Sequence, residues 1–336
     1  RYPKLDNNIS LALLAIIILI GGLRDRIGWD YNSYTTWYLE GNRDYNFEFG
    51  FLTLMNVFRY FRLSVPFLFF FFSFFTYVFV YLGIKKYTKE KTLPLVLYVM
   101  IPVMFLYSFT YMRQFLAVAI AFYAFSYLLA KKYIVYFLLM FLGISMHYSC
   151  IIPFVFFIVI SKYEDRIQLK YLGLLIFISF VFSRIGVIGI LSMFLKGSHY
   201  YFYVSQKHAV PVPIFKLLVF NVIAAFVIWY HSVKGFVDTN KKHFLILYIL
   251  SIIILNLFAE STELTRIYIY FRIFEIVVLA DIIREVWYER KSRIVIFFVF
   301  CFYLFPYFRA IKIDSEVGPA GLKLIPYKTI VSREID

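Results

Sequence analysis

The feature that most constrains this chain is the recurrence of long apolar runs separated by short basic loops. The runs fall at about 9–23, 66–84, 93–110, 113–130, 133–146, 148–161, 171–191, 214–231, 243–259, 266–283 and 294–308. A hydrocarbon core of ~30 Å takes about 20 apolar helical residues to cross. Backbone groups in lipid must be satisfied within their own segment, so such runs fold as helices. The expectation is an all-α, polytopic membrane protein of about eleven transmembrane helices, forming a single integral membrane domain over 1–336. Several runs are short, so tilted or broken helices are expected. Only 16% of residues are charged, against ~25% in soluble domains, which leaves no room for a separate soluble domain.

Charge sets the expected topology. Alternate loops carry Arg1/Lys4, Lys85/Lys86/Lys89/Lys91, Lys131/Lys132, Lys162/Arg166/Lys170, Lys234/Lys241/Lys242 and Arg284/Arg290/Lys291/Arg293. Short basic loops face the cytoplasm. For the pattern to hold, 133–161 must be two short helices meeting at Ser145-Met146-His147-Tyr148-Ser149. The basic residues left over are mostly arginine, on the outer face or within the membrane, and topology does not require them there. A guanidinium binds phosphate oxygens with a planar fork and stays charged, so an arginine-rich outer face suggests a phosphorylated ligand. Lipid head groups are the plainer reading.

The outer segment 24–64 is expected to hold interfacial helices. It packs Arg24, Asp25, Arg26 and Asp30 just beyond a helix end, with Asp30 placed to cap a short helix through Tyr38. A second helix from Glu48 to Phe61 carries Phe51, Leu54, Met55, Phe58 and Phe61 at helical spacing. Other outer points are Tyr111-Met112-Arg113-Gln114, the loop 192–213 with Tyr201, the entry at Arg266, and a C-terminal tail, 309–336. Arg113 and Arg266 enter the membrane without an evident local acidic partner. Arg272 and Glu275 are i,i+3 neighbours, so a buried ion pair is their plain reading. His147 is costly at membrane depth unless hydrogen-bonded or used.

The sequence holds no P-loop, no GxGxxG after a strand, no HExxH and no DxD in the outer segments. Cys150 and Cys301 lack metal-ligand spacing. No metal, no cofactor and no nucleic-acid partner is expected.

Several pieces resemble a known family. They are Gly22-Leu23-Arg24 followed by Gly28-Trp29-Asp30-Tyr31-Asn32-Ser33-Tyr34, then Phe47-Glu48-Phe49-Gly50-Phe51. Arg113-Gln114 with Ala117, Ala119 and Ala121 behind it comes next, with Lys131-Lys132 leading to His147-Tyr148-Ser149, and the closing Pro326-Tyr327-Lys328. In this order they are similar to the Wzy-type and EpsG-like polysaccharide polymerases of bacterial envelopes. The family pattern has a further N-terminal helix, and the opening Arg1-Tyr2-Pro3-Lys4 reads as a loop between two helices.

The resemblance implies a GT-C-like integral membrane glycosyltransferase in the bacterial plasma (inner) membrane, active on the periplasmic or extracellular face. Its substrate would be an undecaprenyl-pyrophosphate-linked oligosaccharide, its surroundings the lipid bilayer, and a chain-length regulator protein a further partner. On that reading Arg113 and Arg266 meet the pyrophosphate, with Arg24, Arg26 and Arg272 in support. Tyr31, Tyr34, Tyr111 and Tyr201 would stack on sugars. The acceptor hydroxyl needs a base. Glu48 opens a helix and reads as a cap, Asp30 as a positioning group, and His147, an imidazole suited to near-neutral proton transfer, ranks first. An O-antigen ligase-like transferase, a flippase or transporter, and a membrane acyltransferase are the competing classes. A transporter would show internal repeats, and none is evident.

Overall fold

The computed structural model describes residues 3–41, 47–185, 193, 212–236, 239–288, 293–317 and 322–331. Among these there are helices and turns but no strand, only an isolated bridge between Arg24 and Thr329. The chain forms two compact units, one of Arg1–Phe154 with Leu279–Asp336 and one of Val155–Val278.

In the first unit, α1 (Pro3–Gly22), α4 (Val65–Tyr87) and α7 (Met112–Leu129) are each long and apolar enough to cross a membrane. At 1.5 Å per residue, the 23 residues of α4 rise roughly 35 Å. α7 packs between α4 and α8 (Tyr133–Met146). Its Ala117, Ala119, Ala121 and Ala124 are buried completely, and such small side chains let helix backbones approach closely. The run expected as one span at 93–110 is instead α5 (Thr92–Met100) and a second segment, Pro102–Phe109, bent by 85°. Proline lacks an N–H and pushes the residue before it out of helical geometry, and Ile101 is extended at φ −85°, ψ 104°.

The break expected near 145–149 is present. α8 ends at Met146, His147 is extended at φ −157°, ψ 118°, and a single 3-10 turn, Tyr148–Cys150, leads into α9 (Ile151–Tyr163). At 14 residues, α8 rises roughly 21 Å, short of a full span. The final helix, Arg293–Val317, continues past the expected span at 294–308, so the first residues of the expected tail are helical.

Two ends of this unit are distinct. At one, Asp6 of α1 accepts the Lys91 and Thr92 N–H groups, each at 3.0 Å, and lies 3.7 Å from Lys91 Nζ. That joins the first two basic loops, as the charge alternation requires. At the other end lie the loop after α1, the short helices α2 (Tyr31–Glu40) and α3 (Phe49–Tyr60), and the His147 break.

In the second unit, Leu169–Phe182 packs against Ile214–Lys234 and Thr239–Leu257. Ile214–Lys234 and, within the last of these, Asn240–Leu257 are also long and apolar enough to cross a membrane. Asn221 and Asn256 exchange side-chain hydrogen bonds of 2.9 and 2.8 Å, and Asn256 also reaches Ser179 Oγ at 2.9 Å. Lys242 Nζ meets Glu164 Oε1 at 3.3 Å, joining the two basic loops at 162–170 and 234–242. The run 266–283 is interrupted at Ile273 and Phe274, between Ile269–Arg272 and Glu275–Tyr288. Five helices of spanning character, six if the bent pair is one span, stand among the described residues. The protein is a polytopic helical membrane protein.

Candidate functional site

The loop after α1 is held from three directions. Arg24 is 1% exposed. Its guanidinium donates to the Gly21 carbonyl, to Ser73 Oγ at 2.9 Å and to the Phe109 carbonyl at 3.2 Å. The rings of Phe69 and Phe109 cover it at 5.1 and 5.3 Å. Burial pulls its pKa below the ordinary arginine value. Expected as a phosphate ligand, Arg24 is instead an internal tie between three elements. Gly28 follows with φ +104°, and a Cβ there would stand 2.5 Å from the Phe109 carbonyl oxygen. Only glycine suits both the backbone and the space.

The C-terminal segment 322–331 laces onto this loop. Asp25 N–H donates to Lys328 O, Gly28 N–H to Leu322 O, and Ile330 N–H to Leu23 O, each at 2.9 Å. Asp314, in the last helix, caps Lys323 N–H at 2.9 Å and Leu324 N–H at 2.5 Å. Residues 322–331 of the expected tail are therefore a strap fixed to this loop.

Arg26 is the exposed arginine of the loop and lies 4.0 Å from Asp25. Asp30 occupies the N-cap position of α2, yet its carboxylate makes no capping bond. Tyr31 and Tyr34, expected to stack on sugars, are each 3% exposed. Tyr31 stacks on Phe69 at 4.0 Å and donates to Asp25 Oδ1 at 3.3 Å. Burial pushes the Tyr34 phenol above its ordinary pKa, against the pull of Arg113. Of the expected tyrosines Tyr111 is half-buried, and further aromatic surface comes from exposed Trp29 and Tyr148 and from Tyr107, whose ring centre is 6.0 Å from Trp29 and 6.1 Å from Tyr111. Tyr201 and most of the expected outer loop 192–213 lie outside the described residues.

The centre of the site is Arg113, in the first turn of α7. Its Nη1 is ion-paired with Glu48 Oε2, at the N-cap position of α3. Glu48 makes no cap bond. Its other oxygen accepts the Tyr148 N–H at 3.1 Å, at the break after α8. Arg113 Nε reaches Tyr34 Oη at 3.4 Å. Phe47 and Phe51 cover the guanidinium at 4.6 and 4.9 Å, contacts of cation–π type. Next to Tyr148, His147 Nδ1 lies 2.7 Å from Ser149 Oγ. Glu48, Arg113 and the His147 break thus converge from sequence separations of 65 and 100 residues. The acidic partner of Arg113 is thus not a local one but Glu48, 65 residues earlier in the chain.

The residues that converge here come from the sequence pieces that carry the family resemblance, and a family model matches nearly the whole chain. The EpsG family model matches residues 9–329. The chain belongs to the EpsG family. No curated protein and no solved structure matches it. The EpsG match runs from within α1 to Thr329 of the strap, so it includes the Asp25–Lys328 and Gly28–Leu322 bonds of the lacing. EpsG membership is associated with polysaccharide polymerase activity, a glycosyltransferase chemistry.

In the second unit, Arg266 pairs with Glu263 at 2.8 Å. This local partner, three residues before it, corrects the expectation that Arg266 lacks one. Arg272 and Glu275 form the expected buried pair, with bonds of 2.8 and 3.1 Å. The ring of Phe220 lies 4.1 Å from the Arg272 guanidinium. Sequence reasoning did not single out Phe47, Phe51 or Gly50 as site residues. Their signal was their place in the Phe47-Glu48-Phe49-Gly50-Phe51 piece and, for Phe51, in the apolar stripe of the helix that follows.

Proposed function

We propose that this chain polymerises undecaprenyl-pyrophosphate-linked oligosaccharide repeat units on the outer face of a bacterial plasma membrane. The growing glycan leaves its lipid diphosphate and joins a sugar hydroxyl of the incoming unit, without a metal. The bond from the anomeric carbon to the diphosphate oxygen breaks, and a glycosidic bond to the acceptor oxygen forms. The acceptor proton passes to a base, and the diphosphate departs as an anion.

The observation that carries this reading is the convergence of Arg113, Glu48 and the His147–Tyr148 break at one end of the first unit. Fixed positive charge stabilises a departing diphosphate, and Arg113 supplies it in a setting walled by aromatic rings. Exposed Arg26 is the second contact. His147 is the base. With Nδ1 held against Ser149 Oγ, the imidazole takes the acceptor proton on Nε2. Trp29, Tyr111 and Tyr148 offer faces for sugar rings.

The test is to incubate the purified protein with lipid-linked repeat units and resolve the products by size. A ladder is expected, and Arg113→Lys should reduce it about a hundredfold, since a lysine keeps the charge but not the fork. A single transfer product would indicate a ligase, and lipid movement without product a transporter. A near-normal ladder from Arg113→Lys would overturn the assignment of Arg113.

A further inference from the structure

Two of the arginine–glutamate pairs among the described residues are built in opposite ways. Arg272 and Glu275 meet through two hydrogen bonds, and their side chains are 1% and 0% exposed. That pair is sealed. Arg113 meets Glu48 through Nη1 alone, and their side chains are 16% and 8% exposed. Among the described residues Arg113 Nη2 makes no hydrogen bond.

Each member of the open pair is also held independently. Phe47 and Phe51 keep the Arg113 guanidinium in place. The Tyr148 N–H keeps Glu48 in place. An ion pair whose members are anchored separately, and whose cation has an open edge, can exchange one anion for another without either residue losing its position.

We infer that Glu48 is a resident counter-anion, which the diphosphate of the lipid-linked donor displaces from Arg113. The inference rests on the proposed contact between Arg113 and that diphosphate. A carboxylate brings one charge, whereas a diphosphate brings more charge and oxygens spaced for both Nη groups. On donor arrival the diphosphate takes Nη1 and Nη2, and Glu48 stays on the Tyr148 N–H with one oxygen released. That oxygen then lies beside the residue following His147, where the acceptor hydroxyl must come. Acceptor engagement therefore follows donor binding. When the spent lipid diphosphate leaves, Glu48 closes on Arg113 again and opposes its return.

The experiment uses the full chain in phosphatidylcholine nanodiscs, titrated with undecaprenyl diphosphate, undecaprenyl monophosphate or phosphatidylglycerol. Glu48→Gln keeps an acceptor for the Tyr148 N–H but removes the competing charge. It should bind undecaprenyl diphosphate about tenfold more tightly, within the usual range of coupling between two ligands, while making less polymer. The gain should be smaller for the monophosphate and absent for phosphatidylglycerol. Arg113→Gln should lose diphosphate binding. Glu48→Asp, which retracts the charge by one methylene, should shift affinity in the same direction by less, and it serves if Glu48→Gln does not fold. Unchanged or weaker diphosphate binding in both Glu48 variants, with binding still dependent on Arg113, overturns the inference and leaves the donor contact standing. Binding indifferent to Arg113→Gln overturns both. An equal gain for phosphatidylglycerol assigns the exchange to lipid head groups and also overturns the inference.

Discussion

Gly50 lies so close to Ser145 that a methyl group on residue 50 would overlap the serine hydroxyl, with Ser145 Cβ at 2.7 Å and Met146 Cε at 2.6 Å. This approach brings the start of α3 against the end of α8, and it lets Glu48 reach the Tyr148 N–H. Gly50→Ala should cost about 1–3 kcal/mol of stability through overpacking, and polymer yield should fall because Glu48 is pushed off Tyr148. Adding Ser145→Gly should restore much of both. Thermal unfolding and product laddering measure the two effects, and wild-type yield from Gly50→Ala would contradict the role.

The base is testable by separating binding from turnover. His147→Ala should abolish polymer while undecaprenyl diphosphate still binds. Asp30→Asn should keep measurable polymerisation, because the Asp30 carboxylate makes no capping bond and is not the proposed proton acceptor. Long polymer from His147→Ala together with none from Asp30→Asn would reverse the ranking.

Arg24 should behave as a structural residue. Arg24→Met leaves the Ser73 hydroxyl and the Gly21 and Phe109 carbonyls without their donor. Unsatisfied buried groups cost about 1–3 kcal/mol each, so a large drop in melting temperature is expected. The folded fraction should still bind diphosphate. A variant of wild-type stability that had lost diphosphate binding would return Arg24 to the substrate.

The Asn221–Asn256 pair predicts a coupled loss. Interhelical hydrogen bonds in membranes are worth about 0.6 kcal/mol on average and up to ~1.7, and this pair exchanges two of them. Asn221→Ala and Asn256→Ala should each destabilise by about 1–2 kcal/mol, and the double variant by less than their sum. Strict additivity in a double-mutant cycle would show that the two amides act separately.

Topology can be read with reporters. Fusions after Lys132 and after Lys242 should report cytoplasmic, and fusions within 196–209 extracytoplasmic, as the basic loops require. An outside signal at Lys132 would remove His147 from the face that holds the proposed site.

The helices were legible because lipid forces local hydrogen bonding, and apolar runs mark it directly. The break at His147 was legible through the charges flanking it. The 85° bend was carried by Pro102, a residue visible in the run but outweighed by its hydropathy. The fate of the arginines was not legible. Arg24, Arg26 and Arg113 look alike as residues near helix ends, and only packing separates a buried tie, an exposed side chain and an ion-paired centre. Glu48 and Arg113 have no periodic relation, since their pairing depends on how α3 docks beside α7 and α8. Tyr31 and Tyr34 were read as surface aromatics because composition does not say which face of α2 turns inward.

The strap at 322–331 ties the order of synthesis to the completion of the site. The loop at 23–28 leaves the ribosome some three hundred residues before Leu322, Lys328 and Ile330, its partners. While the intervening chain is made, the carbonyl of Leu23 and the amides of Asp25 and Gly28 have no strap to meet. The helices ahead of the strap can be threaded and oriented in that interval, but this face of the protein is finished only after translation has passed residue 330. Chains cut short before that point would occupy the membrane in the correct orientation and still be unfinished at the loop that carries Arg26.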